Sequence, residues 1–273
     1  MSQFSACFLL VFAQLAVGGL VALAVPPFGV IERGFFKSSA GVFVGCAILY
    51  IAGRITLVVR AGTATTGGLI EIGLWIAFAA AATIYFATLW GEAASMRARA
   101  FATSLGLGLL ALTASASVHR LGPLMSPATV LYPISLMTGA LALGGVAAGM
   151  LLGHWYLIDL GLSIEPMRRL FRFFVTMTVA HVGVLLVTLL AMALTPGPST
   201  AAVGTLLREH GTLLAARFVL GPFAALGLGW MIHRTLQIPQ TMAATGLFYI
   251  AILFVMVGEI LGRLILFRTS LPL

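Results

Sequence analysis

The chain has 273 residues, of which 61% are hydrophobic and 8% charged, and its mean hydropathy is +1.12. Soluble domains carry about 25% charged residues, so this composition excludes an ordinary soluble protein and indicates an integral membrane protein. The formal net charge of +8 comes from short basic clusters between apolar segments. Membrane orientation accounts for such clusters, so we expect no nucleic-acid binding.

Eight apolar runs predict eight transmembrane helices, because about 20 apolar residues cross a hydrocarbon core of about 30 Å. In chain order the predicted helices cover residues 8–28, 40–59, 68–89, 100–117, 132–158, 170–194, 213–232 and 242–267. The first run lacks the basic start of a signal peptide, so we expect it to be kept as helix one. The sequence therefore predicts an all-α, polytopic integral membrane protein in which residues 1–273 form one transmembrane helical domain.

Basic residues in the connections predict the orientation of these helices. Alternate connections hold eight of them: Arg33, Lys37, Arg97, Arg99, Arg168, Arg169, Arg172 and Arg234. The opposite connections and the C-terminal tail hold four: Arg60, Arg120, Arg208 and Arg268. By the positive-inside rule both termini are expected on the outer, periplasmic side of a bacterial cytoplasmic (inner) membrane.

Two local patterns refine this arrangement. Gly145 and Gly149 in predicted helix five are four residues apart, the spacing that lets two helices approach closely in lipid. The longest outer connection, TPGPSTAAVGTLLREHGT, contains a stretch that predicts a short interfacial helix. We expect this connection to be a contact site for a partner.

One group of polar residues is predicted to lie in the outer leaflet of the membrane. An ionisable side chain within a span costs roughly 2.5 to 3.5 kcal/mol, so each one needs a partner, a wet cavity or a function. The group consists of Gln14, Arg54, Glu71, Arg217, Glu259 and Arg263. Glu259 and Arg263 are four residues apart and can form a structural ion pair. The other charges at similar depth predict a polar pocket for a quinone, whose head group needs acid–base groups beside a lipid-accessible cleft.

A second group, His154, Asp159 and His181, is predicted in the inner leaflet. At 1.5 Å per residue, the depths of the two histidines are expected to differ by about one helical turn. They have three interpretations: axial ligands of a b-type haem, a proton-conducting pair, or histidines hydrogen-bonded across two packed helices. Trp155, Tyr156 and Asp159 are typical of a membrane boundary.

The helix sequences resemble a known family of membrane anchors. Predicted helices seven and eight contain LLAARFVLGPFAALGLGW and ATGLFYIAILFVMVGEILGRLILF, and helix one contains FAQLAVGGLVAL. With Arg217 and the GEILGR stretch at residues 258–263, these patterns resemble the NrfD/polysulfide reductase membrane-anchor superfamily, including the anchor subunits of dimethyl sulfoxide reductases. Helix two departs from that pattern, since Arg54 stands in IAGRITLVVRAG where family anchors often carry a histidine. The GHWYLID segment with His154 also has no counterpart.

The resemblance implies a subunit that exchanges electrons between the quinone pool, menaquinone or ubiquinone, and an iron–sulfur subunit docked on the outer face. That subunit would serve a catalytic subunit of the molybdenum-enzyme or hydrogenase type. We expect no catalytic residue and no metal site in this chain, which would be inactive alone. Glu259 and Arg54 are the predicted contacts for the head group and for proton transfer, and Arg217, Arg263 and Glu71 are predicted to set the charge balance.

Three alternatives stay open at this point. Haem b bound by His154 and His181 would make the chain a membrane cytochrome, which we favour less. If the chain is a small transporter or channel, the charged residues of the outer leaflet would bind its substrate. If it is a purely structural assembly subunit, they would form only ion pairs. Cys7 and Cys46 lie in apolar runs without metal-type spacing, so an iron–sulfur cluster is expected on a partner and not here.

Overall fold

The computed structural model describes residues 2–62, 65–120, 126–159 and 161–273, and within these ranges it contains helices and no strand. The elements are α1 (Ser2–Ala22), α2 (Arg33–Ala61), α3 (Thr66–Thr88), α4 (Ala94–Val118), α5 (Ala128–Trp155), α6 (Glu165–Leu194), α7 (Pro198–Glu209), α8 (Gly211–Phe218), a π-helical turn (Val219–Phe223), α9 (Ala224–Gln237) and α10 (Thr241–Thr269). Eight segments are long and apolar enough to cross a membrane, and the seventh of them joins α8, the π-helical turn and α9. The predicted all-α, eight-span fold is confirmed.

Several helices extend further than the apolar runs indicated. The structure starts α2 at Arg33, α4 at Ala94 and α6 at Glu165, so most of the basic residues lie in terminal helical turns and not in loops. Long basic side chains can hold their charged ends in the polar interface while their stems cover apolar surface, which lets the helix continue past the hydrocarbon. Pro166 sits in the first turn of α6, where its missing N–H costs no hydrogen bond.

Small residues bring α5 into close contact with three other helices. A methyl group at Gly18 of α1 would overlap the carbonyl of Ala140, and one at Gly144 would overlap the backbone of Gly18. Gly145 faces aromatic side chains of α6, and Gly149 faces an aromatic ring of α10. The close approach predicted for Gly145 and Gly149 is therefore confirmed, and α5 lies at the centre of the bundle against α1, α6 and α10.

The start of α1 and the end of α10 lie at the same end of the bundle, because the number of spans is even. We call this end the terminal face and the opposite end, which carries the eight basic residues, the basic face. On the terminal face the tail after α10 folds back over α5. Tyr132 donates a hydrogen bond to the carbonyl of Ser270, and Ser135 donates one of 2.6 Å to the carbonyl of Pro272.

The connection between α6 and α8 also lies on the terminal face and contains the predicted short helix, α7. It buries Val203 and Leu206 against the bundle and exposes Leu207. Beyond it, Pro222 lies inside the π-helical turn. A proline has no N–H to donate and its ring crowds the carbonyl four residues earlier, so the helix widens there.

Candidate functional site

Five helices bring six polar side chains together inside the bundle. We call this set the Glu259 cluster: Gln14 on α1, Thr138 on α5, His181 on α6, Arg217 on α8, and Glu259 with Arg263 on α10. Glu259 is 1% exposed and lies ten residues before the end of α10, about 15 Å below the terminal face. The cluster therefore lies within the membrane-spanning part of the bundle.

The Glu259 carboxylate is held from both sides. Its Oε1 atom lies 2.6 Å from Nη2 of Arg217 and 3.1 Å from Nε2 of His181. Its Oε2 atom accepts a hydrogen bond of 2.7 Å from Nε2 of Gln14 and a longer one of 3.3 Å from Nη2 of Arg263. The i,i+4 ion pair predicted for Glu259 and Arg263 is thus present, and it is the longest of the four contacts.

The partners of His181 fix where its ring proton lies. The hydroxyl of Thr138 donates to the carbonyl of Ile134 at 2.9 Å, so its oxygen accepts from Nδ1 of His181, also at 2.9 Å. Neutral His181 then has a lone pair on Nε2, which accepts from Nη2 of Arg217 at 2.7 Å. A contact of Nε2 with Oε1 of Glu259 needs one further proton between the two atoms. This pair can take up and release a single proton.

The cluster has more donors and positive charge than Glu259 can use. Two guanidinium groups face one carboxylate, which leaves one positive charge when His181 is neutral. In the described part of the chain, Nε of Arg217 and both Nε and Nη1 of Arg263 have no hydrogen-bond partner, and neither does Oε1 of Gln14. Buried donors of this kind favour a ligand with oxygen acceptors.

A narrow crevice reaches the cluster between α6, α10 and the π-helical turn. It is lined by His181, Arg217 and Glu259 together with Gly221 and Pro222, and its volume of about 10 Å³ is enough for about one water molecule. A methyl group at Gly258 would overlap Cα of Gly221, so two glycines allow the turn to lie directly against α10. The π-helical turn therefore packs on α10 through backbone atoms at this point.

A second polar cluster surrounds Glu71 on α3. Its Oε1 atom accepts hydrogen bonds of 2.5 Å from Tyr50 and 2.6 Å from Ser115, and its Oε2 atom pairs with Nη2 of Arg54 at 2.5 Å. Trp75 in turn donates to the Ser115 hydroxyl at 2.9 Å. Glu71 is nearly buried, whereas the Arg54 side chain is 23% exposed. We call this set the Glu71 cluster.

The single polar pocket expected from the sequence is divided in two. Four of the predicted residues meet in the Glu259 cluster: Gln14, Arg217, Glu259 and Arg263. The other two, Arg54 and Glu71, form the Glu71 cluster, and among the described residues no hydrogen bond connects the two sets. The two clusters lie on different sets of helices. The predicted depth of a residue within its span does not show which set it belongs to.

The expectation that His154 and His181 lie at similar depth is wrong. His181 bonds Thr138, and Thr138 lies 16 residues before His154 on the same helix, about 24 Å along its axis. The error arose because α6 begins at Glu165, which places His181 deeper than the apolar run indicated. His154 is exposed in the last turn of α5, so the two imidazoles cannot bind one haem iron in this arrangement.

Several residues of the two clusters were not identified from the sequence. Thr138 joins the Glu259 cluster, and Tyr50, Trp75 and Ser115 complete the Glu71 cluster. Hydroxyl and aromatic side chains are common in membrane helices, so their presence alone gives no signal. His181 was singled out from the sequence as an ionisable residue within a span, but it was assigned to the group of His154 and not to that of Glu259.

A scan against protein-family models, a search of curated proteins and a search of solved structures each found no match to this chain. The geometry of the two clusters and the membrane-spanning fold are thus the observations on which a function can be based.

Proposed function

We propose that this chain is a quinone-interacting membrane subunit of a multi-subunit respiratory oxidoreductase, with its quinone site at the Glu259 cluster. An iron–sulfur subunit docks on the terminal face, which is the outer face, and serves a catalytic subunit. The chain lies in the bacterial inner membrane and catalyses nothing alone. The observation that carries the proposal is the buried Glu259–His181–Arg217 contact within the span.

Proton exchange is the first requirement of a quinone site, and the His181–Glu259 pair meets it. When bound, a quinone supplies two-electron, two-proton redox chemistry. The pair can take up one proton between Nε2 of His181 and Oε1 of Glu259 when Nε2 no longer accepts from Arg217, and Arg217 offsets the charge of the carboxylate when that proton leaves. A carboxylate with two buried guanidinium groups beside it stays inside the membrane without an isolated charge.

Recognition of the head group is the second requirement. Quinone oxygens accept hydrogen bonds, and the unpartnered N–H groups of Arg217 and Arg263 can donate them. The crevice admits about one water molecule, so binding requires the π-helical turn to move away from α10. That movement would separate the backbone contact of Gly221 with Gly258, beside which the guanidinium group of Arg217 lies.

Isolation of the intact complex tests the proposal. A tag on this chain, mild detergent and mass spectrometry of co-purifying lipids and subunits would identify what it binds. We expect quinone at about one molecule per chain together with an iron–sulfur protein. A chain that purifies with neither, or that alone carries substrate flux across liposomes, would contradict the proposal.

A further inference from the structure

The basic face carries a cleft between the start of α6 and the end of α9. Its volume is about 350 Å³, and it is lined by Arg168, Phe171 and Arg172 from α6 and by His233 and Gln237 from α9. This cleft lies at the opposite end of the bundle from the tail that covers the terminal face. It has no part in the quinone site proposed above.

The side chains around the cleft are held in place. Nη2 of Arg168 donates to the carbonyl of Leu236 at 3.1 Å, which ties α6 to α9. The His233 ring stacks on Phe171 with centroids 5.9 Å apart, and the Gln237 amide lies within 3.2 Å of Nε2 of His233. Arg168, His233 and Gln237 thus each have a contact within the protein, while their polar ends and that of Arg172 stay exposed at the cleft.

The charge of the cleft suits a single anionic group. Oε1 of Glu165, the one carboxylate in its lining, lies 2.9 Å from Nη2 of Arg172 and 3.3 Å from Nε of Arg169. With Arg168 and Arg172 as the other charged lining groups, the cleft has one net positive charge when His233 is neutral. A phosphate diester carries one negative charge and offers two unesterified oxygens to guanidinium donors.

The position of the cleft favours a ligand with apolar chains. Trp230 lies one helical turn deeper in the membrane than His233, on the same side of α9, and is 67% exposed. One turn further from the basic face, α6 and α9 are in close contact, since a methyl group at Gly229 would lie 3.3 Å from Val175. An acyl chain attached to a head group in the cleft can therefore extend sideways over the exposed surface of Trp230.

We propose that this cleft binds the phosphate diester of an anionic phospholipid, with Arg168 and Arg172 on the phosphate and one acyl chain along Trp230. The charge, the exposed guanidinium donors and the exposed apolar surface beneath them each fit that ligand. Basic pockets between transmembrane helices at this level are suited to lipid head groups.

Lipid retention tests the assignment. The full chain would be placed in nanodiscs of equal parts phosphatidylcholine and phosphatidylglycerol, released in the gas phase, and its bound lipids identified by native mass spectrometry. We expect phosphatidylglycerol to be retained preferentially, and each of Arg168→Gln and Arg172→Gln to weaken that retention about fivefold. Arg172 pairs only with Glu165 in the described contacts, so Arg172→Gln keeps the α6–α9 tie even if Arg168→Gln does not fold.

The matched control is Arg234→Gln, which removes an exposed arginine next to His233 that does not line the cleft. We expect it to retain phosphatidylglycerol as the unchanged chain does. Equal retention in Arg172→Gln and the unchanged chain, or an equal loss in Arg234→Gln, would overturn the assignment. Displacement of the lipid by millimolar inorganic phosphate would also overturn it, because a soluble anion would then suffice. The result does not depend on whether quinone binds at the Glu259 cluster.

Discussion

Nε2 of His181 lies 3.1 Å from Oε1 of Glu259, although the two residues are 78 positions apart in the chain. Nη2 of Arg217 is within 2.7 Å of both atoms. Three side chains from three different helices, two of them charged, therefore meet at one place inside the bundle. The ability of His181 and Glu259 to take up one proton between Nε2 and Oε1 is the feature from which the proposed chemistry follows.

Removing the charge of Glu259 is expected to destabilise the fold. The Glu259→Gln variant leaves Arg217 and Arg263 buried without a counter-charge, which costs about 3 kcal/mol of unfolding free energy. Unfolding in mixed micelles measures this loss. The double variant Glu259→Gln/Arg217→Gln should lose less than the sum of the two single variants. Additive losses would mean that the two side chains do not interact.

The tautomer of His181 is a direct prediction of its contacts. Because Thr138 accepts from Nδ1, we expect neutral His181 to carry its proton on Nδ1 and not on Nε2. Nitrogen-15 NMR of labelled imidazoles distinguishes the two forms. Thr138→Val should reduce the preference by about 1 kcal/mol, since it removes one hydrogen bond. Neutral His181 with its single proton on Nε2 in the unchanged chain would refute this arrangement.

The close contact of α1 with α5 predicts different effects for a glycine in that contact and a glycine with open space around it. Gly18→Ala places a methyl group on the carbonyl of Ala140 and should destabilise the bundle by about 2 kcal/mol, because both backbones must move. Gly45→Ala meets no atom within 4 Å and should be neutral or slightly stabilising. Unfolding free energies of both variants test this contrast. Similar values for the two would show that α1 and α5 are not in close contact.

The hydrophobic pattern of the sequence was sufficient to predict the eight spans, because membrane thickness sets the length of an apolar run. It also placed Glu259 and Arg217 within the bundle. Depth along a helix says nothing about direction around the bundle, so Arg54 and Glu71 were grouped with residues that they do not contact. The first turns of α6 are rich in basic residues, so the apolar run did not indicate that this helix starts at Glu165.

The Glu71 cluster depends on an uncharged residue. Ser115 donates to Glu71 and accepts from Trp75, so Ser115→Ala leaves two buried groups short of a partner and should cost about 2 kcal/mol. Ser117→Ala is the control, since the exposed hydroxyl of Ser117 bonds only the carbonyl of Thr113 in its own helix. Thermal unfolding of the two variants tests the difference. Equal stability would mean that Ser115 does not support the cluster.

Binding of a quinol analogue tests the central claim most directly. A fluorescent analogue would be titrated into the natively isolated complex carrying the unchanged chain, Glu259→Gln or Glu71→Gln, after elution profiles confirm that each is folded. Loss of a charge-assisted hydrogen bond corresponds to at least about a tenfold weaker Kd. We expect that loss in Glu259→Gln and an unchanged Kd in Glu71→Gln. An unchanged Kd in Glu259→Gln, or equal weakening in both variants, would contradict a quinone site at the Glu259 cluster.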